Sequence, residues 1–265
     1  MTGSGRPGNG VEPEGAHPAR VYDYWLGGKN NFAADRAAAE QVLQVMPEIV
    51  DTVRGNRRFL VRAVAFLRNA GMRQFLDIGS GLPSSPNVHE VAQAGNTGAR
   101  VVYVDHDPVV CSHAEAMTAG DDTTAVVLAD LRDTAEVLSG AGKLLDFTRP
   151  VGLLFAGCLH HIPDSGDPAG TVARYLAALV PGSYLVISHA TDEFSPQKMR
   201  ANAQVADSSG TILIPRGKDA ILRMFNGRGL VDPGLVLVSR WRPEDGEPAP
   251  DAERAWAYGG VAAIS

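Results

Sequence analysis

Cysteine is nearly absent from this chain. Cys111 and Cys158, far apart in sequence, are its two cysteines, too few for a disulfide framework or a cysteine-based zinc site. That usage fits a reducing compartment. Long apolar runs are missing too, so no segment is expected to cross a bilayer. The opening "MTGSGRPGNGVEPEGAHP" has no hydrophobic core of the kind a secretory signal needs, and the cytoplasm is the expected location. Excess positive charge is also lacking: 24 Lys+Arg against 30 Asp+Glu leave a formal net charge of -6. Such a chain has no general attraction to nucleic acid or anionic lipid, which excludes a non-specific binder of either. There is no internal repeat.

What the chain does have is core material, 45% hydrophobic residues over 265 positions, enough for one large domain with an extension. Residues 1–18 are Gly, Pro and polar, and are expected to form a disordered tail. Residues 19–71 begin with "ARVYDYWLGGKNNF" and continue with helical spacing, most clearly at Ile49, Val50, Val53, Phe59, Leu60, Ala63, Val64 and Leu67, with Gly71 as the stop. From residue 72 short apolar runs alternate with helical stretches: "QFLDIG", "ARVVYVD", "TAVVLAD", "VGLLFAG", "SYLVISH", "LVLVSRW" and "YGGVAAI". Continuous rather than alternating hydrophobicity marks strands buried on both faces. The order predicts an α/β fold, a mostly parallel open sheet of seven strands whose last two pair antiparallel. Residues 72–265 form the expected ligand-binding domain.

The first run ends in Asp77-Ile78-Gly79-Ser80-Gly81. The C-terminal edge of such a sheet, at the switch point of strand order, is where ligands bind. Gly79 and Gly81 permit a tight bend and close approach to main-chain amides, although a G-x-G alone also serves as a plain strand-to-helix turn. Asp105 closes the second run about twenty residues on, the separation expected of an acid that accepts from a ribose diol. Asp107 beside it, followed by Pro108, suits a helix cap. Asp130, with Leu131 next to it, ends the third run; its carboxylate either accepts from an adenine amino group or caps the next segment. A pyrophosphate wants G-x-G-x-x-G. Here Ser84 holds the third place between Pro83 and Pro86, and each proline removes an N–H donor. The bend therefore favours a nucleoside without phosphates, S-adenosylmethionine, over a dinucleotide.

The segments "PARVYDYWLGGKNNFAADR", "NRRFLVRAV", "FLDIGSGLP", "VYVDHDPVV" and "LHHIPD", in this order, resemble a bacterial family of S-adenosylmethionine-dependent methyltransferases long known as a domain of unknown function. The resemblance runs from about Pro18 to the C-terminus. It implies a Rossmann-like fold with a helical N-terminal extension over the cofactor, and cofactor contacts at Gly79, Ser80, Gly81, Asp105, His106 and Asp130. It implies no particular methyl acceptor.

The remaining candidates come from the residues themselves. Trp25 and Phe32 have a packing role as the simplest explanation, but the glycines, Lys29 and the asparagines between them suggest a lid with Tyr22 and Asn31 inside the site. Arg57 is either a partner for the cofactor carboxylate or a solvated arginine. Gly157 and Cys158 fall where the methionine end of the cofactor should lie. His160 and His161 follow. As neighbours they diverge in direction, with no cluster of ligand spacing around them, so no metal is expected. Their candidate roles are general base and acceptor binding, against a purely local bonding role. A sulfonium methyl is already activated, so the chain must mainly hold an acceptor in line with it. The expected activity is methyl transfer to oxygen or nitrogen of a small molecule. A nicotinamide-dependent oxidoreductase and a non-catalytic cofactor-binding protein are the alternatives.

Overall fold

Residue 74 opens a strand in which every side chain is buried, and the same is nearly true of the strands at 100–105, 152–156 and 184–190, while the strand at 124–128 is only half-buried. In the computed structural model, which describes residues 15–95, 97–243 and 254–265, five parallel strands come first: β1 (Gln74–Ile78), β2 (Arg100–Asp105), β3 (Thr124–Leu128), β4 (Gly152–Ala156) and β5 (Tyr184–Ala190). Three more follow, β6 (Gly229–Leu230), β7 (Val236–Leu237) and β8 (Ala257–Ala263). The sheet order is β3-β2-β1-β4-β5-β8-β6, with β7 also on β8. β8 runs antiparallel to β5, β6 and β7. The fold is the Rossmann-like α/β one expected from the alternating runs.

The side-chain period explains the continuous apolar runs. Phe75, Val101, Tyr103, Leu154 and Val186 point to one face, against Phe59, Leu60, Ala63, Val64 and Leu67. Leu76, Val102, Val104, Leu153, Phe155 and Ile187 point to the other, against residues such as Val137, Val172 and Tyr175. The helices are α1 (Pro18–Trp25), α2 (Ala33–Val45), α3 (Ile49–Asn69), α4 (Val88–Gln93), α5 (Pro108–Met117), α6 (Thr134–Ala141), α7 (Pro168–Leu176), α8 (Pro196–Ser208) and α9 (Lys218–Arg223). α3 stops where the sequence says: Gly71 has φ +93, and Gly71 N and Met72 N donate to Arg68 O and Leu67 O at 3.0 and 2.9 Å. No helix among the described residues is long and apolar enough to cross a membrane.

Two expectations need correction. The sheet has eight strands, not seven, because the short β6 at Gly229–Leu230, which no apolar run announced, also pairs with β8; the run 235–241 gives only β7 before a 3-10 turn, Val238–Arg240. The Arg62 guanidinium donates to the carbonyls of Trp241 and Val238 at 2.9 and 2.7 Å, so these acceptors serve a side chain rather than a ladder. The second concerns the tail. Residues 1–14 of it lie outside the described residues, but His17 and Pro18 belong to the fold. His17 N donates to Asp35 Oδ1 at 2.8 Å, and the His17 ring accepts from Ala19 N to cap α1.

Candidate functional site

A cavity of about 510 Å³, the size of small-ligand sites, lies along the C-terminal edge of the sheet. Its floor is Asp77 in β1 and Gly79 after it, Asp105 closing β2 and His106 after it, Asp130 after β3, Gly157 after β4 and His189 near the end of β5. Helices α1, α2, α3 and α8 wall and roof it. With strands about 4.8 Å apart, the way from Asp105 across β1 and β4 to β5 is about 14 Å.

The bend after β1 works differently from the expectation. Gly79 and Gly81 do have φ of +66 and +65. However, the amides of Gly79 and Ser80 both donate to Val104 O, at 2.8 and 3.0 Å, and Gly81 N donates to Asp105 Oδ2 at 2.9 Å. Ser84 N donates to Asn87 Oδ1 at 2.9 Å. The loop holds no cradle of free amides among these four, so a pyrophosphate finds no donors there. Glycine is required for shape: a Cβ on Gly79 would lie 2.5 Å from Cys158 Cβ. Asp105, 6% exposed, is fixed by Gly81 N and, through Oδ1, by Asp107 N at 3.0 Å. Each oxygen keeps a lone pair for a further donor.

Asp77 is buried beneath this bend, and its carboxylate accepts no hydrogen bond from the described residues. Burial pushes its pKa up to about 7, against the pull of the Arg57 charge. Arg57 is not solvated: Nη2 donates to Ser84 O and Pro86 O at 2.6 and 2.8 Å, while its side chain lines the cavity. Asp130 does not cap α6; Asp133 does, accepting from Glu136 N. Asp130 instead accepts Arg132 N at 2.8 Å and grips the Arg132 guanidinium, which holds its carboxyl below the usual range. Leu131 lines the cavity beside it and its carbonyl accepts from Tyr175 OH. His106 is exposed and meets His17, Nε2 to Nε2 at 3.3 Å. With Asp105 these two form the metal-ligand type of grouping found among the described residues; His160 and His161 are not in it.

The N-terminal motif divides between cavity and scaffold. Tyr22 lines the cavity; its hydroxyl donates to Val53 O at 2.9 Å and accepts from Asn56 Nδ2 at 3.1 Å. Asn56 in turn accepts from Ser188 Oγ. Asn31 does not reach the cavity, contrary to the lid expectation. Its Nδ2 donates to Asp23 Oδ2 and Gly28 O at 2.8 and 3.1 Å, and Asn30 N donates to the same Asp23 oxygen. A Cβ on Gly28 would fall 2.0 Å from Asp23 Oδ1. The glycine and asparagines thus serve a buried acid of α1. A second hub is Asp35, fully buried, which takes His17 N, Phe32 N and Arg20 Nε. Arg20 Nη1 continues to Asp107 Oδ2 at 2.7 Å, tying the roof to the loop after β2.

Three histidines line the middle of the cavity, and burial lowers the pKa of each, that of His189 to about 3. All are neutral at pH 7, and their partners fix the tautomers. His160 Nδ1 accepts from Ala190 N at 3.4 Å, so its proton is on Nε2. His161 Nδ1 lies 2.5 Å from Ile212 O and must donate, leaving Nε2 with the lone pair. His189 donates from Nδ1 to Ala190 O and accepts on Nε2 from Arg216 Nη1 at 3.0 Å. Gly157, with φ +80, leaves room that a Cβ would take from Asn56 Nδ2, 3.0 Å away. Asn56, Ser188, His17 and the α8 side of the cavity had no distinguishing sequence signal.

The sequence profile described as S-adenosyl methyltransferase matches residues 5–265. A DUF574 family protein from Streptomyces avermitilis MA-4680 is 39% identical with a TM-score of 0.90, the match covering 95% of this chain and 98% of that one. A candidate methyltransferase from Thermobifida fusca YX is 38% identical with a TM-score of 0.88, covering 95% and 96%. The N-methyltransferase NodS from Bradyrhizobium japonicum WM9, solved with S-adenosyl-L-homocysteine, shares the fold at 13% identity and a TM-score of 0.51, covering 92% and 98%. No curated protein is matched by sequence.

Proposed function

This chain belongs to the S-adenosyl methyltransferase family, an enzyme that uses S-adenosyl-L-methionine, and from that premise we propose that it methylates oxygen or nitrogen of a small molecule held inside the cavity. Asp105 accepts from the ribose hydroxyls, with Gly79, Ser80 and Gly81 shaping the turn beneath them. Asp130, Leu131 and His106 border the adenine. Asp77 faces the methionine ammonium and Arg57 its carboxylate; Gly157 lies beside sulfur. The methyl then points toward Tyr22, Asn56, His160 and His161.

In the reaction a lone pair of the acceptor atom forms the new bond to carbon as the carbon–sulfur pair withdraws onto sulfur, leaving neutral S-adenosylhomocysteine. His161 Nε2 takes the acceptor proton, and His160 orients the acceptor with its Nε2–H. Burial keeps both rings uncharged, so no histidine cation opposes the sulfonium. The main work is alignment, which in favourable intramolecular cases is worth about 7–11 kcal/mol of barrier.

The observation that carries the reading is the bend itself: its amides are committed within the chain while Asp105 keeps its acceptor capacity. Such a site suits a nucleoside and not a pyrophosphate, so the oxidoreductase draws no support from it; a non-catalytic binder would use the same site, and the family favours the enzyme over it. Calorimetric titration should give saturable one-site binding of S-adenosylhomocysteine and no heat with NAD+ or NADP+. Equal binding of a dinucleotide would count against the reading.

A further inference from the structure

Beyond the histidines the cavity changes character. Toward β5 and β8 its wall is Met46 and Ile49, Met199 and Val205 of α8, Leu213 and Trp256. The cations near this wall are already paired, although Lys198 also lies over the Trp256 ring, 5.7 Å from its centre. Lys198 Nζ bonds Glu48 Oε1, and Arg216 is held by Asp164, Leu159 O, Ile162 O and His189. The acid of α1 that borders the cavity, Asp23, has no cation partner among the described residues, but its carboxylate turns to the 28–31 loop: Oδ2 accepts from Asn30 N and Asn31 Nδ2, and Oδ1 lies where a Cβ on Gly28 would stand. A charged group brought here loses its hydration and meets no free counter-charge.

Among the polar side chains on this side, Thr52 Oγ1 is committed to Glu48 O and Trp256 N, and Thr211 Oγ1 to Ala206 O, whereas Asn202 is not so engaged. Asn202, on α8, is 3% exposed. Its amide nitrogen donates to Met46 Sδ at 3.7 Å, a weak acceptor, and its carbonyl oxygen accepts from none of the described residues. Buried amides are ordinarily well bonded. One left with this much capacity, in the lining of a ligand cavity, marks a group that a ligand completes.

Resting on the methyl-transfer reading above, we propose that the acceptor is an uncharged, largely apolar molecule that carries, away from the methylated atom, one neutral hydrogen-bonding group read by Asn202. The apolar wall receives its body. His161 meets its reacting hydroxyl or amine. The far group exchanges hydrogen bonds with the Asn202 amide, so Asn202 is a specificity residue.

The test uses the full chain loaded with S-adenosylhomocysteine and four probes on one ring system, titrated by calorimetry. The probes are 6-hydroxy-2-naphthamide, 2-naphthol, 6-hydroxy-2-naphthoate and the ammonium 6-(aminomethyl)-2-naphthol. The neutral amide should bind best, with the anion and the cation weaker by about tenfold or more. In Asn202→Leu the advantage of the amide over 2-naphthol should vanish; Asn202→Ser gives the same reading if the leucine variant does not fold. S-adenosylhomocysteine binding by each variant is the control for folding. Charged probes binding as tightly as the amide, an amide advantage that survives both substitutions, or no probe binding to the loaded protein would overturn the inference. Failure of S-adenosylhomocysteine itself to bind would instead remove the reading on which it rests.

Discussion

Asp77→Asn should make the unliganded protein more stable at pH 8 and weaken its hold on the cofactor. Asp77 is 3% exposed, and its pKa rises from 3.8 to about 7 through burial. A raised carboxyl pKa means the native state binds the proton more tightly than the unfolded chain. Stability from this group is therefore greatest below pH 4 and falls as pH rises toward 7. The shift corresponds to a penalty of up to about 4 kcal/mol at pH 8. Asparagine keeps the shape and removes the charge, so the variant should gain part of that amount at pH 8 and little at pH 4. Binding has the opposite sign. The cofactor ammonium and sulfonium favour the ionised acid, so wild-type affinity should fall as pH drops below 7. The variant should bind about ten- to a hundredfold more weakly at pH 8 and lose that pH dependence. Urea melts at both pH values and calorimetry at pH 6 and 8 read both effects; a variant less stable than wild type at pH 8 would contradict the assignment.

Arg20→Leu is expected to cost about 3–5 kcal/mol, because it strands two buried acids at once. Arg20 is 4% exposed, and its partners Asp35 and Asp107 are 0% and 5% exposed. Its Nε lies 3.1 Å from Asp35 and its Nη1 2.7 Å from Asp107. Leucine fills the volume, so the loss is electrostatic rather than a cavity. That distinction has a signature in a further variant. Adding Asp35→Asn and Asp107→Asn to Arg20→Leu removes the stranded charges and should recover much of the loss. A deficit that the added asparagines leave unchanged would mean lost packing instead. Asp107 also positions the loop that carries Asp105, through Asp107 N, so S-adenosylhomocysteine affinity should drop in the variant that still folds.

Much of the frame was legible because burial on both faces writes itself into a strand as an unbroken apolar run, as in "FLDI" and "RVVYVD". Pro108 after Asp107, and Gly71 after the long helix, are local signals that tertiary contacts left intact. Sequence erred where one residue type serves two ends. Gly28 and Asn31 suit a lid over a ligand and equally suit a bend that satisfies a buried acid; only the position of Asp23 separates the two. The bend at Gly79–Gly81 suggested amide donors, yet the carbonyl that consumes two of them, Val104 O, sits on another strand. The apolar side of the cavity was invisible for a different reason. Met46, Met199, Leu213 and Trp256 are gathered from distant parts of the chain, and each alone resembles a core residue. The order of the tautomers at His160 and His161 likewise depends on Ala190 and Ile212, which no local pattern places beside them.

The crystal structure of the complex with S-adenosylhomocysteine tests the central claim most directly. The account requires both ribose hydroxyls within about 3 Å of the Asp105 carboxylate, sulfur beside Gly157, and the space past sulfur opening toward His161 and Asn202. Adenosine seated instead among Met46, Met199 and Trp256, or a ribose that leaves Asp105 untouched, would contradict it.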